Sequence, residues 1–451
     1  MIIRIRLMSS VEQWFKKHNI KDVECLIPDM TGTARGKLMP VSEYLSQAPK
    51  LPESTLLQTV NADFCDEHNQ LVCSDDQDML LVADPRTIRQ IPWTQMPTAQ
   101  IIHDCHMVDG SAHPLSSRNV LRSVIAQYEA LDLKAIIAPE VEFYLVKKNN
   151  DPKMELEPPV GISGLTERVK QPLGIDAVHE YEPFINTMYE YCKIQELNVG
   201  TLTHESGTAQ LEINFHHGDP LSLADQVFTF KRTLRQVAFK HDMVATFMAK
   251  PMANEAGSSM HIHQSLIDIK TNTNAFADSE GTKTEIFYHY LAGLQKYTPK
   301  LISLYAPNVN SYRRFTNYMS APISLHWGFD NRTVAFRVPV ADQAATRIEN
   351  RFAGMDTNPY LAIAASLASG LAGIKNKLQP TKPFVGDASG KKVVITKSME
   401  KALDCLTDME DFGEVISSEF LTAYRFVKSK ELDDFNKLIT PWERENLLLS
   451  V

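Results

Sequence analysis

The sequence predicts a mixed helix and strand fold, α+β or α/β, in which a sheet carries the chemistry. Three observations lead there. Strand-like apolar runs are separated by long stretches with helical spacing of their apolar residues. Several of those runs are interrupted at every second position by a charged or histidine side chain, which in a strand lies on one face. The composition is that of a globular protein, 43% hydrophobic and 22% charged over 451 residues, long enough for a large core.

The elements follow in order. Val11–His18 has helical spacing and Val23–Pro28 reads as a strand. Asp29–Lys37 holds two glycines and reads as a turn-rich segment. Met79–Val82 and Ile101–His106 are further strands, with Pro85, Pro92 and Pro97 between them. The polar stretch 109–117 marks a boundary, which divides the chain into 9–112 and 113–451. Ser117 caps a helix over 118–131, and a strand follows at Ala135–Val146. Residues 147–175, with their prolines, glycines and charges, read as a long surface loop. Helices are expected at 178–196, 221–241, 285–304 and 357–375, the last capped by Asn358 with Pro359 at its first position. Strands are expected at 201–215, 258–267 and 332–340, and three helices in the tail 398–451.

Basic residues number 46 and acidic ones 55, a net charge of −9, which argues against a general nucleic-acid binder. The longest apolar run, Leu361–Ile374, is broken by serines and glycines and is too short for a membrane span. Met1–Leu7 lacks a signal-peptide core, and Met8 is an alternative start. The six cysteines show no CxxC pair, consistent with reduced thiols in the cytoplasm. No GxxxxGK[ST], GxSxG or kinase motif set is present.

The informative pattern is charge inside apolar strands. In Ala138-Pro-Glu-Val-Glu-Phe-Tyr144, Glu140 and Glu142 share a face opposite Val141 and Phe143. In His204-Glu-Ser-Gly-Thr-Ala-Gln-Leu-Glu-Ile-Asn-Phe215, Glu205 and Glu212 flank a glycine-containing turn, and Gln210, Glu212 and Asn214 share a face. His261 and His263 share another, as do Arg347, Glu349 and Arg351. Any one of these alone is a solvated strand face. Together, five glutamates and a histidine suit hard divalent cations, Mg2+ or Mn2+, and the absence of cysteine argues against structural zinc. Arg314, Arg332, Arg337, Arg347 and Arg351 fall within 38 residues. Each alone is an ordinary ion-pair residue, but an arginine cluster beside metal ligands fits phosphoryl transfer. His103-Asp-Cys-His106 imitates a transition-metal site and is read as structural. A metallo-amidohydrolase would use His261-Ile-His263, but the glutamate excess disfavours it.

These motifs resemble the glutamine synthetase family over nearly the whole chain, from about residue 11 onward. They are Pro139-Glu-Val-Glu142, Glu205-Ser-Gly-Thr-Ala-Gln-Leu-Glu212, Lys250-Pro-Met with Gly257-Ser-Ser-Met-His-Ile-His-Gln-Ser265, Asn310-Ser-Tyr-Arg-Arg314, Asn331-Arg332, Arg337-Val-Pro339 and Arg347-Ile-Glu-Asn-Arg351. The resemblance implies an α+β fold: a small N-terminal β-grasp-like domain, and a large catalytic domain with an antiparallel sheet and surrounding helices. It implies active sites shared between neighbouring subunits of a homo-oligomer, a dodecamer of two stacked hexamers. By motif, Glu142, Glu205 and Glu212 match ligands of a first metal, and Glu140, His261 and Glu349 those of a second. Arg314, Arg351 and the backbone of Gly257 match glutamate-binding positions. Arg332 and Arg337 match positions for the nucleotide phosphates and the transferred group, and His263, Ser265 and Arg347 match nucleotide contacts. The implied reaction forms γ-glutamyl phosphate from L-glutamate and ATP, and a nitrogen nucleophile then displaces phosphate.

Departures from the family pattern concern that nucleophile. Where glutamine synthetases carry a glutamate that serves ammonium, Arg314-Phe-Thr-Asn-Tyr-Met-Ser-Ala-Pro322 places Ser320, which supplies no negative charge. The aspartate-bearing N-terminal segment is missing, with Gln58–Phe64 its nearest counterpart, and Ala256 replaces an asparagine. Trp327–Arg337 and Asn310–Phe315 lean toward the γ-glutamylpolyamine synthetase branch. Putrescine or another polyamine is therefore the expected amine, its far ammonium meeting Asp63, Asp66 or Glu67 of a neighbouring subunit. A glutamine synthetase using ammonium, a ligase for another amine such as ethanolamine, and a catalytically silent relative are the alternatives.

Overall fold

The computed structural model describes residues 2–451 except 73–74, 317–320, 393, 408, 410–411 and 413–414. Ser320 thus lies outside the described residues.

Two sheets organise the chain. The first is built from β1 (Asp22–Pro28), β2 (Ala34–Pro40), β3 (Lys50–Pro52), β4 (Asp78–Ala83), β5 (Arg89–Ile91) and β6 (Thr98–His106). Its order is β2-β1-β6-β4-β3, with β5 also on β6. β1 and β6 run parallel in its middle, and the other pairs are antiparallel. The expected turn over 29–37 is only the tip of the β1–β2 hairpin. Asp29 Oδ1 accepts from the amides of Thr31 and Thr33, both at 2.9 Å, and closes that tip.

The second sheet carries β7 (Leu133–Lys147), β8 (Val199–His204), β9 (Gln210–Phe215), β10 (Met243–Thr246), β11 (Met260–Asp268), β12 (Thr273–Asn274), β13 (Trp327–Phe329), β14 (Phe336–Val338) and β15 (Ile348–Asn350). Its order is β13-β14-β15-β11-β7-β9-β8, with β10 on β7 and β12 on β11. All pairs are antiparallel except β13 with β14. Helices Ser117–Glu129 and Pro220–Lys240 pack on β7 and meet helix Pro359–Lys375, which is buried almost throughout. That explains its lack of a polar stripe, since a helix covered on all sides needs none. With strands and helices segregated in this way the fold is α+β.

A buried charge cluster ties the first sheet to these helices. Arg118, wholly buried, donates to Asp225 at 2.8 and 2.9 Å and to Asp84 at 2.7 Å, and also bonds Asp104. Arg86 doubles the pairing of Asp84 and Arg122 that of Asp104, while Tyr360 Oη donates to Asp225 at 2.7 Å.

Several expectations change. The cap before helix Ser117–Glu129 is Ser116; Ser117 Oγ turns instead toward the carbonyls of Pro28 and Asp29. The strands expected over 201–215 are β8 and β9, separated at 205–209 by the glycine-containing turn, and that over 332–340 shortens to β14. The helices expected over 178–196 and 285–304 each divide in two, as Ile175–His179 with Glu182–Ile194 and Glu285–Tyr297 with Ile302–Tyr305. Asn358 caps as expected, accepting from the Tyr360 amide at 3.0 Å. The tail's α-helices are Met399–Asp404, Ser418–Asn436 and Pro441–Leu447. Along β6 the His103–His106 side chains go separate ways. His103 contacts Tyr44 Oη, Asp104 faces Arg118 and Arg122, Cys105 is buried, and His106 meets the Gly110 carbonyl. No helix of the described residues is long and apolar enough to cross a membrane.

Candidate active site

Strand register gathers the acidic residues. On β7, Val141 and Phe143 point into the core while Glu140 and Glu142 point out. Glu140 pairs across with His261 on β11, Glu142 with Glu212 on β9, and His263 with Glu349 on β15, which itself pairs with Arg337 on β14. Four neighbouring strands therefore present carboxylates and histidines on one face, because alternate residues of paired strands stack in rows.

The distances are close. Glu140 Oε2 lies 3.2 Å from His261 Nδ1, and its Oε1 lies 2.9 Å from His263 Nε2. His261 Nε2 is 3.8 Å from Glu142 Oε1, and its Nδ1 is 3.7 Å from Glu349 Oε1. Ligand atoms of Glu140, Glu212 and His261 all lie within 4.8 Å of one another, as do those of Glu140, His263 and Glu349. Arg347 Nε donates to His263 Nδ1 at 3.1 Å. A guanidinium only donates, so that nitrogen is the acceptor and the other one, Nε2, donates to Glu140.

Electrostatics divides the carboxylates into two kinds. Burial would raise Glu140, but hydrogen bonds to His261 and His263 hold it well below the usual carboxylate range. Burial also works against Glu349, yet the Arg351 charge and the two histidines hold it at about 2. Glu142 is pushed up to about 8 by burial and by the charge of Glu205. Glu212 is pushed up to about 9 by burial and by Glu140, Glu142, Glu205 and Glu349. A cluster of acids that this protein alone cannot keep ionised fits a bound cation, which supplies the missing charge. The donor set, carboxylate oxygens with one or two imidazoles, fits Mg2+ or Mn2+.

The arginines surround this face. Arg337 donates to Glu349 at 3.0 Å and to Asp330 at 2.7 Å, and Arg351 bonds Glu349. Arg314, fully buried, donates to Ser259 Oγ at 2.6 Å and to the Phe352 carbonyl at 3.1 Å. The Ser259 amide in turn donates to Glu142 Oε2 at 2.7 Å. Gly257 is required here, since a Cβ would sit 2.7 Å from Arg314 Cγ and 2.9 Å from the Ala249 carbonyl. Ser265 continues the row of His261 and His263 along β11. Arg332 is exposed at the turn between β13 and β14. The structure thus brings Glu140, Glu142, Glu205, Glu212, His261, His263 and Glu349 together, with Arg314, Arg337, Arg347 and Arg351 bonded to them or to their neighbours. Glu205 enters through its charge on Glu142 and Glu212. Sequence reasoning missed Ser259 and Asp330, and the Arg347–His263 bond that orients Glu140; nothing in their local sequence distinguishes them.

Two sheets, with an acid face suited to a cation and rimmed by arginines, suit an enzyme that works on phosphate groups. Comparison narrows the class. A family model described as the glutamine synthetase catalytic domain matches residues 114–447. The chain is 33% identical over 451 residues to a glutamate–isopropylamine ligase of Pseudomonas sp, with 96% of each covered. It is 32% identical over 457 positions to the gamma-glutamylputrescine synthetase PuuA of Escherichia coli (strain K12), with 97% of this chain and 94% of that one covered. It is 32% identical over 391 residues to a glutamine synthetase of Pyrococcus abyssi (strain GE5 / Orsay), covering 82% and 85%. A solved structure, apo GmaS without ligand, superposes with a TM-score of 0.81 at 25% identity and covers 96% of this chain and 98% of that one. The chain belongs to the glutamine synthetase family. It is an ATP-dependent ligase that forms a C–N bond at the γ-carboxylate of glutamate.

Proposed function

We propose that the physiological nucleophile is a primary amine larger than ammonium, a diamine or polyamine such as putrescine, and that the product is a γ-glutamylamide. The observation that carries this is Ser320 in place of the glutamate that serves ammonium in glutamine synthetases. Removing a carboxylate opens room for an alkyl chain and removes the charge that holds a small cation. Two relatives named for isopropylamine and putrescine support the reading.

In this proposal Glu142, Glu205 and Glu212 hold one divalent ion, and Glu140, His261 and Glu349 a second. Mg2+ or Mn2+ there supplies Lewis-acid charge to phosphate oxygens. The chain's own groups do the rest. Arg314, Arg351 and the Gly257 backbone hold the glutamate substrate, with its γ-carboxylate aimed at the γ-phosphate of ATP. His263, Ser265 and Arg347 contact the nucleotide. Arg332 and Arg337 neutralise the charge that spreads over the transferred phosphoryl oxygens, and Glu205 stands beside the reacting carboxyl. No protein nucleophile is needed, so positioning and charge neutralisation carry the rate. We further propose the division into 9–112 and 113–451, a homo-oligomer of the dodecameric kind whose sites lie between subunits, and a cytoplasmic location.

The test is phosphate release from ATP with L-glutamate and Mg2+, comparing ammonium, putrescine, spermidine, ethanolamine and alkylamines. Strong release with a diamine and little with ammonium supports the proposal. The reverse makes the protein a glutamine synthetase with a different amine-site acid.

A further inference from the structure

The turn that carries Glu205 has an unusual construction. Its four amides from Ser206 to Ala209 all end on side-chain oxygens. Ser206 N–H donates to Glu205 Oε2 at 3.1 Å, and Gly207 N–H to Gln210 Oε1 at 2.8 Å. Thr208 N–H donates to Glu255 Oε2 at 3.2 Å, and Ala209 N–H to Glu167 Oε2 at 2.9 Å. Gly207 abuts Tyr144, whose Oη would lie 1.9 Å from an added Cβ, so the turn cannot slide toward β7. Ala209 holds φ +54, a conformation that residues with a Cβ seldom adopt and that its surroundings must therefore impose.

Glu167 comes from within residues 147–175, read from the sequence as a long surface loop. Its side chain is nevertheless only 6% exposed. The same Oε2 that takes the Ala209 amide lies 3.1 Å from His204 Nε2. His204 Nδ1 in turn lies 2.8 Å from the Glu205 carbonyl. One carboxylate therefore grips the chain on both sides of Glu205. The segment is fastened at two further points, one beside this turn and one beside Glu255. Leu173 N–H donates to the His204 carbonyl at 2.9 Å, and Lys170 Nζ reaches the Asn254 carbonyl at 3.3 Å beside Glu255.

We propose that Glu167 is a positioning residue for the reaction: it sets the backbone on both sides of Glu205, and through it the geometry of the cation site that Glu205 completes. Glu255 braces the turn at the neighbouring Thr208 amide. Neither touches substrate; both act through the main chain of Glu205. The inference rests on the assignment of Glu205 as a ligand made above. Partners that orient a metal ligand are worth roughly ten- to a hundredfold in metal affinity.

The experiment measures Mn2+ binding to the intact oligomer by electron paramagnetic resonance of free Mn2+, alongside kcat and each KM, for the parent, Glu167→Ala and Glu167→Gln. Glu167→Ala is expected to weaken one class of Mn2+ site about tenfold or more and to lower kcat, with the glutamate KM within about twofold. Glu167→Gln keeps an acceptor for Ala209 but loses the charge facing His204, so it falls between Glu167→Ala and the parent. Should Glu167→Ala fail to fold, Glu167→Gln decides, with a three- to tenfold weakening expected. Parent-like Mn2+ affinity and kcat in the folded variant overturn the positioning role. Failure of the parent to bind Mn2+ overturns the ligand assignment instead, so the two failures are distinct.

Discussion

Cation binding to the acid face must expel protons, and the amount can be worked out. Glu142 titrates at about 8 and Glu212 at about 9. At pH 7 the first holds its proton by about one decade and the second by about two. Ionising both to make ligands therefore costs about 4 kcal/mol, a weakening of roughly a thousandfold relative to a pH above 9. Isothermal calorimetry of Mn2+ binding, repeated in buffers of different ionisation enthalpy, counts those protons. We expect between one and two released per active site at pH 7, fewer as the pH approaches 9, and an affinity that climbs over the same interval. The interacting acids titrate as a group, so the count matters more than its division between them. Stability of the metal-free protein moves the other way. Both groups hold protons in the folded state that the unfolded chain has lost above the ordinary carboxylate range, so stability present at low pH is lost as pH rises toward 9. The metal-free melting temperature should fall from pH 6 to 9, and the gain on adding Mn2+ should grow. Zero proton release together with a pH-independent affinity would refute the reasoning, because the raised carboxyls would then not be the ligands.

Other outcomes follow from the same contacts. Arg118→Met strands one carboxylate rather than three, since Asp84 keeps Arg86 and Asp104 keeps Arg122. The stranded group is Asp225, and a loss of about 3–5 kcal/mol is expected by chemical denaturation; adding Asp225→Asn should restore much of it, and no recovery would mean that packing rather than charge was lost. Gly257→Ala drives a Cβ into buried Arg314. It should raise the glutamate KM roughly tenfold and leave the ATP KM within about twofold, and equal changes in both would point to a wider collapse of the face. Ser320→Glu should impair a large amine before it affects glutamate-dependent phosphate release; unchanged amine selectivity would count against Ser320 as a specificity position.

The acid face was legible because a strand has a period of two. Glu140 with Glu142, His261 with His263 and Glu349 with Arg351 each announce a polar row on an apolar strand. What joins the rows is register, and register is set by partners far away in the chain, so the pairing of Glu140 with His261 and of Arg337 with Glu349 could only be seen in three dimensions. The turn between Glu205 and Glu212 was read from its glycine, but what holds it was hidden for a related reason. Its amides are satisfied by Glu167, Glu205, Gln210 and Glu255, and no local pattern says that a glutamate in a polar loop is buried. Arg118 was invisible too, because inside a helical stretch a core arginine looks like a surface one. Its burial depends on three aspartates, from the turn after β4, from β6 and from the helix Pro220–Lys240.

The order of strands in the larger sheet differs from their order in the chain: β7 sits between β9 and β11, while β15, which brings Glu349, joins on the far side of β11. A polypeptide made from its N-terminus therefore displays Glu140 and Glu142 long before their partners exist. Until the stretch around Ile348 has been synthesised and docked, Glu142, Glu205 and Glu212 are all present, but Glu140 and His261 still lack Glu349. The capacity to hold a second divalent ion is in this sense a certificate of completion. A product truncated before β15 lacks both Glu349 and the buried helix Pro359–Lys375, so it loses the second ligand set and a large part of the core together.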